Sequence, residues 1–64
     1  MRTNEANKDI RDRVNRLGLF MWQFAAKCDV SATTMTVWLR EELPANDPRR
    51  EHMEEVLDEL ERSD

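Results

Sequence analysis

Cysteine occurs once in this 64-residue chain, at Cys28. One thiol can close no internal disulfide and build no cysteine-rich zinc site, which points to a reducing, cytoplasmic setting and to no bound metal. Cys28 reads most simply as a small buried hydrophobe. Glycine is also single, at Gly18, so no glycine-rich loop is present to cradle a phosphate. The longest apolar stretches, Leu17 to Trp22 (interrupted by Gly18) and Phe24 to Ala26, fall far short of the roughly 20 residues a membrane span needs. The charged opening MRTNEANK does not read as a secretory signal. The one histidine, His52, has no serine, cysteine or carboxylate partner at a catalytic spacing. The acids near it, Glu54, Glu55, Asp58 and Glu59, read as a solvated helix face. The chain is therefore expected to be no enzyme, with no cofactor, no small-molecule substrate and no membrane association.

What is present favours helices. One glycine and two prolines among 39% hydrophobic residues fit a compact helical domain better than disorder or a β-sandwich. A chain of this size forms a single domain, 1–64, whose core contributes only about 3 to 5 kcal/mol net. Marginal stability or dimerisation is the expected consequence. The net charge of −4 argues against a generic polyanion binder, but it is unevenly spread. Residues 1–40 hold seven Lys and Arg against four Asp and Glu, a balance of +3, whereas 41–64 hold three against ten, a balance of −7. A mildly basic front could touch phosphates while an acidic back stays in water.

Periodicity predicts an all-α fold of four helices, or five if a short turn is counted. The first covers about 8–17, with Asn7 as N-cap, Asp9 in the first turn, an Ile10, Val14, Leu17 stripe and Gly18 as the left-handed stop. The second covers about 21–28 and lacks a good N-cap, because Phe20 stands there. Leu19, Phe20, Met21 and Trp22 make an apolar entry to it, some of which must pack against the last helix, with Trp22 toward the edge. Trp22 is then either an interface anchor or a lid on a small core. The third, about 32–42, opens on Ser31 as N-cap and ends before Leu43 and Pro44. The fourth, about 48–61, has Asp47 as N-cap, Pro48 at the first position and a Met53, Val56, Leu57, Leu60 stripe. Its acidic end, Glu59 to Asp64, opposes the helix dipole and is expected to fray.

The stretch Trp22 to Arg40, WQFAAKCDVSATTMTVWLR, carries most of the information. Phe24, Ala25, Cys28, Val30, Met35 and Trp38 fall at core spacings on either side of Asp29 and Ser31. Two short helices joined by a tight turn are the outline of a helix-turn-helix. Thr33, Thr34, Thr36 and Val37 put four β-branched residues into five helical positions, at up to roughly 0.7 kcal/mol each relative to Ala. Short hydroxyl side chains on a helix that must lie close to another surface offer a reason, since they can bond phosphates or base edges.

With those residues placed, the chain resembles the Cro/C1-type (lambda-repressor-like) helix-turn-helix family, and in particular its short phage and mobile-element members. The resemblance covers nearly the whole chain. It is carried by Trp22 to Ala25, Val30-Ser31, Thr34-Met35-Thr36 and Trp38-Leu39-Arg40. It implies a lambda-repressor-like domain that binds double-stranded DNA as a transcriptional regulator, with the third helix as recognition helix. Carried across by position, Ser31, Ala32, Thr33, Thr36, Val37 and Arg40 would face bases in the major groove, and Ala25 would let helices two and three cross closely.

Two positions depart from the family pattern. Asp29 stands where glycine is usual in the turn, and Val37 where an arginine or other polar residue is common. Arg40 is then the one base-reading cation, Val37 is suited to a thymine methyl, and Thr33 and Thr36 to base edges or methyls. A homodimer or a complex with a protein partner is the expected functional unit.

Gln23, Lys27, Thr34, Arg49 and Arg50 are the candidates for phosphate contact. Lys27 can equally belong to a solvated face. Arg49 and Arg50 lie in a first turn, where cations are disfavoured and where either phosphate or a local partner such as Glu54, four residues beyond Arg50, would compensate. A protein-interaction module on the same scaffold, with weak or no DNA binding, is the alternative, suggested by the net acidity, Val37 and the Leu19 to Trp22 patch.

Overall fold

The computed structural model describes residues 6–63. The first five residues of the charged opening, and Asp64, lie outside the described residues. The fold is all-α, with α1 Lys8–Arg16, α2 Met21–Lys27, α3 Ala32–Leu39 and α4 Pro48–Arg62. Among the described residues there is no strand, and no helix is long and apolar enough to cross a membrane. Packing pairs α2 with α3 and α1 with α4.

Both short helices at the front stop in the same way. At the end of α1 the Gly18 N–H donates to the Asn15 carbonyl at 3.0 Å and the Leu19 N–H to the Val14 carbonyl at 3.3 Å. At the end of α2 the Asp29 N–H donates to Ala26 at 3.1 Å and the Val30 N–H to Ala25 at 3.0 Å. This double bond pattern is a Schellman termination, and it requires a left-handed residue just past the cap. Gly18 (φ 75) and Asp29 (φ 64) supply it, and the residues that follow, Leu19 and Val30, pack against the core. Asp accepts the left-handed region better than most residues but at some cost. Asp29→Gly is therefore expected to stabilise the fold by about 0.5 kcal/mol and to raise the thermal midpoint by a few degrees, read from a circular-dichroism melt.

The N-termini divide between side-chain caps and a substitute. Ser31 Oγ accepts the Thr34 N–H at 3.0 Å, and Asp47 Oδ1 accepts the Arg49 N–H at 2.9 Å, so the two expected caps are in place. At α2 Phe20 has no acceptor, and Gln23 Oε1 reaches back to take the Phe20 N–H at 2.9 Å.

The core contains Ile10, Val14, Phe24, Ala25, Cys28, Met35, Leu39, Leu43, Met53 and Leu57, all essentially closed to solvent. Leu17, Leu19, Met21, Val30, Trp38, Val56 and Leu60 pack around it half-buried. Trp38, expected inside, is at the margin, and Leu39 takes the deep position, because the stripe from Met35 continues at i+4 rather than i+3.

Two expectations are corrected at the junction of α1 with α3. Asn7 occupies the cap position of α1 but its side chain does not cap it; the residue is left-handed (φ 57) and fully buried. Asn7 Nδ2 donates to the Leu39 carbonyl at 3.3 Å and to the Glu41 carbonyl at 3.0 Å, and Asn7 Oδ1 accepts the Leu43 N–H at 3.0 Å. An α-helix continuing past Leu39 would need the Leu43 N–H on the Leu39 carbonyl. The Asn7 carboxamide takes both groups, so α3 stops at Leu39 instead of reaching Glu42. Residues 40–43 then leave the helix and carry Leu43 down onto the core. Arg11 adds Nη2 to the same Leu39 carbonyl at 3.0 Å, and Glu42 Oε1 accepts the Asn7 N–H at 2.8 Å.

At the other end of the chain α4 runs to Arg62, one residue past its expected end. Arg13 of α1 bonds Asp58 at 2.7 Å and Glu61 at 2.8 Å. Its guanidinium holds the Glu61 carboxyl below the usual range, and a cation from the neighbouring helix thus offsets the repulsion of acids at a helix C-terminus.

Candidate nucleic-acid interface

The first observation about α3 is which residues it keeps outside. Ser31, Ala32, Thr33, Thr36, Val37 and Arg40 are all exposed, whereas Met35 and Leu39 face the core. Val37 is 51% exposed. Three of the four β-branched residues therefore cost helix propensity without contributing to the core, and Thr34 is half-buried. From Leu19 to Leu39 the only charged residues are Lys27 and Asp29, while α4 exposes Glu51, Glu55, Asp58 and Glu59.

Hydrogen bonding sets what each hydroxyl can offer. Ser31 Oγ donates to Thr34 Oγ1 at 2.9 Å while accepting the Thr34 N–H, so it is committed to the cap. Thr34 keeps its own proton for a donor role. Thr36 Oγ1 donates back to the Ala32 carbonyl at 3.0 Å, which leaves its lone pairs and its methyl group for a ligand. Arg40, at the C-cap of α3, makes no ion pair with a described residue.

Of the candidates for phosphate contact, Lys27 is exposed on α2. Gln23 uses Oε1 on Phe20 and has its amide nitrogen left to donate. Arg49 lies against Asp47, Nη2 to Oδ2 at 2.8 Å and Nε to Oδ1 at 3.0 Å.

Arg50 is a correction. It is 9% exposed and sits between Asp9, with which it forms a close ion pair, and Glu54, Nε to Oε2 at 2.9 Å. Its charge is neutralised inside the α1–α4 junction and cannot serve a phosphate. Burial works against the Asp9 charge, yet the bond and charge of Arg50 hold its carboxyl below the ordinary value. Comparison of the chain with protein-family models, curated proteins and solved structures finds no match.

The Arg49 bond also has a pH signature. It holds the Asp47 carboxyl at about 2, against 3.8 for an ordinary aspartate. Between those values the folded chain binds fewer protons than the unfolded chain, so this cap stabilises fully above 3.8 and is lost as the pH falls toward 2. The thermal midpoint is expected to drop on acidification below about pH 4, and Asp47→Asn to lower it at neutral pH and flatten the acid dependence.

Beside the interface, Cys28 is 1% exposed and burial pushes its thiol up to about 11. Its carbonyl is 2.8 Å from His52 Nε2, which ties the α2–α3 turn to α4. A disulfide-exchange reagent at neutral pH is expected to leave Cys28 unlabelled until the domain unfolds.

Two aromatic residues lie outside this set. Phe20 and Trp22 are 68% and 60% exposed, with near-parallel rings 10° apart in plane and centroids 6.5 Å apart. Trp22 was legible as an edge residue. What the sequence reading missed was Asn7 and Arg11; a helical Leu39 at i+4 from Met35 was available as a signal, but nothing local marks an Asn for an inward turn.

Proposed function

We propose that this chain is a small sequence-specific binder of double-stranded DNA, a transcriptional regulator of the Cro/C1 type found in phages and mobile elements, acting in the cytoplasm and not as an enzyme. The observation that carries this reading is the outer face of α3. Thr33, Thr36 and Val37 are exposed there, in a helix they do not favour, with no acidic residue in α3 and Arg40 at its end. Short side chains let the helix backbone approach the floor of a major groove, where a threonine or valine methyl meets a thymine and Arg40 can bond guanine. The acids concentrated on α4 would be kept toward solvent in such a complex.

With Arg50 removed from the set and Arg49 held against Asp47, Lys27 and Arg40 are the cations of this face left to meet DNA, beside the Gln23 amide and the Thr34 hydroxyl, so monomer affinity is low and a dimer is the expected functional unit. Titration of labelled duplex pools at several salt concentrations tests the reading. Binding with a log–log salt slope of about −2 to −3 per chain supports it. No binding to any duplex, even at low salt, overturns it.

A second reading, a protein-interaction module on the same scaffold, is favoured by the exposed Phe20 and Trp22 pair. Sedimentation separates the two, because in that case self-association or partner binding is lost on Trp22→Ala while the fold is retained.

A further inference from the structure

We infer that Asn7, just before α1, and Arg11, within it, are positioning residues for Arg40, holding it where the α3 face meets its ligand; the inference rests on the DNA reading above. Arg40 lies between two tethered carbonyls. The Leu39 carbonyl before it accepts from Asn7 Nδ2 and Arg11 Nη2, and the Glu41 carbonyl after it accepts from Asn7 Nδ2. Arg11 is itself braced, with Nε on the Ala6 carbonyl at 2.9 Å. Two residues on, the Leu43 N–H is taken by Asn7 Oδ1.

No glycine ends α3, and the Arg40 N–H makes only a long 3.3 Å bond back to Val37. The carbonyls on either side of Arg40 are held instead by Asn7 and Arg11. An arginine there has four or more rotatable bonds to order, so fixing its backbone is what makes a bidentate contact with a guanine edge selective. Among the described residues Arg11 donates to backbone carbonyls alone, at Ala6 and Leu39, and its geometry is that of a clamp.

The test is a double-mutant cycle on duplex affinity between Arg11→Ala and Arg40→Ala, after selection of a binding site from random duplex DNA. Arg11→Ala is expected to weaken binding to the selected site about tenfold, to leave binding to random duplex unchanged, and to have no further effect once Arg40 is Ala. Arg11→Lys, which can still reach the Leu39 carbonyl, is expected to restore part of the loss. An equal loss in both backgrounds would place Arg11 in general stability or in its own phosphate contact and overturn the proposal.

Without DNA, nuclear relaxation of the Arg40 amide is expected to show added mobility in Arg11→Ala while the thermal melt remains cooperative. Unchanged relaxation overturns the positioning role alone. A wild-type chain that binds no duplex overturns the DNA reading itself, so the two failures are told apart.

Discussion

Asn7→Ala is expected to remove most of the net stability of the domain. The Asn7 side chain is fully buried and satisfies the Leu39 and Glu41 carbonyls and the Leu43 N–H. A buried backbone group left without a partner costs about 1–3 kcal/mol, and alanine at φ 57 adds about 1 kcal/mol of left-handed strain.

The chain has one way to recover the lost bonds, which is to extend α3 so that the Leu43 N–H meets the Leu39 carbonyl. That path would lift Leu43, now 5% exposed, off the core and forfeit its burial, about 1.5–3 kcal/mol for a full leucine. Either route costs about 3 kcal/mol, comparable with the whole net stability of about 3 to 5 kcal/mol available to a domain of this size. Urea denaturation followed by tryptophan fluorescence measures it. Asn7→Gly separates the contributions, since glycine keeps the left-handed backbone without strain and should recover about 1 kcal/mol of the loss, while the Glu41 carbonyl and the Leu43 N–H still lose their partner and the Leu39 carbonyl keeps only Arg11. A near-neutral Asn7→Ala would refute the role assigned to this amide.

Phe24→Ala is the second large effect, expected to cost about 3–5 kcal/mol and to leave no cooperative melt. Phe24 is the largest fully buried side chain and stands on the inner face of α2 with Ala25. Its removal leaves a void that the small neighbours Ala25 and Cys28 cannot fill. Two residues away on the same helix, Trp22→Ala is expected to change stability by less than about 0.5 kcal/mol, because most of that ring is already in water. The contrast between the two substitutions, in the same denaturation experiment, distinguishes an aromatic that builds the fold from one that is available to a partner. A large stability loss at Trp22 would remove it from the interaction reading and place it in the core.

Much of this architecture could be read along the chain, wherever the cause was local. Pro48 after Asp47, Ser31 before α3, and Gly18 after Leu17 act through bonds within one turn, so those boundaries were visible to within a residue or two. The Met53, Val56, Leu57, Leu60 stripe likewise follows from helix periodicity alone. The candidate α3 face was legible for the same reason, since a helix that keeps Met35 inward must turn Thr33, Thr36 and Val37 outward.

The remainder was decided by contacts between residues far apart in sequence. Where α3 ends depends on an amide 32 residues upstream, and the acids at the end of α4 are met by Arg13, 45 and 48 positions from its partners. Arg50 could pair with Glu54 or serve a phosphate as far as spacing goes. Only the approach of Asp9 from α1 buries it and removes it from the site. The sequence by itself determined the four helices, the Ser31 and Asp47 caps and the polar, β-branched outer face of α3, because propensity and capping act within a turn. The tertiary structure alone decided which polar groups face inward, because a buried charge or amide is tolerated only where partners from other helices arrive to bond it.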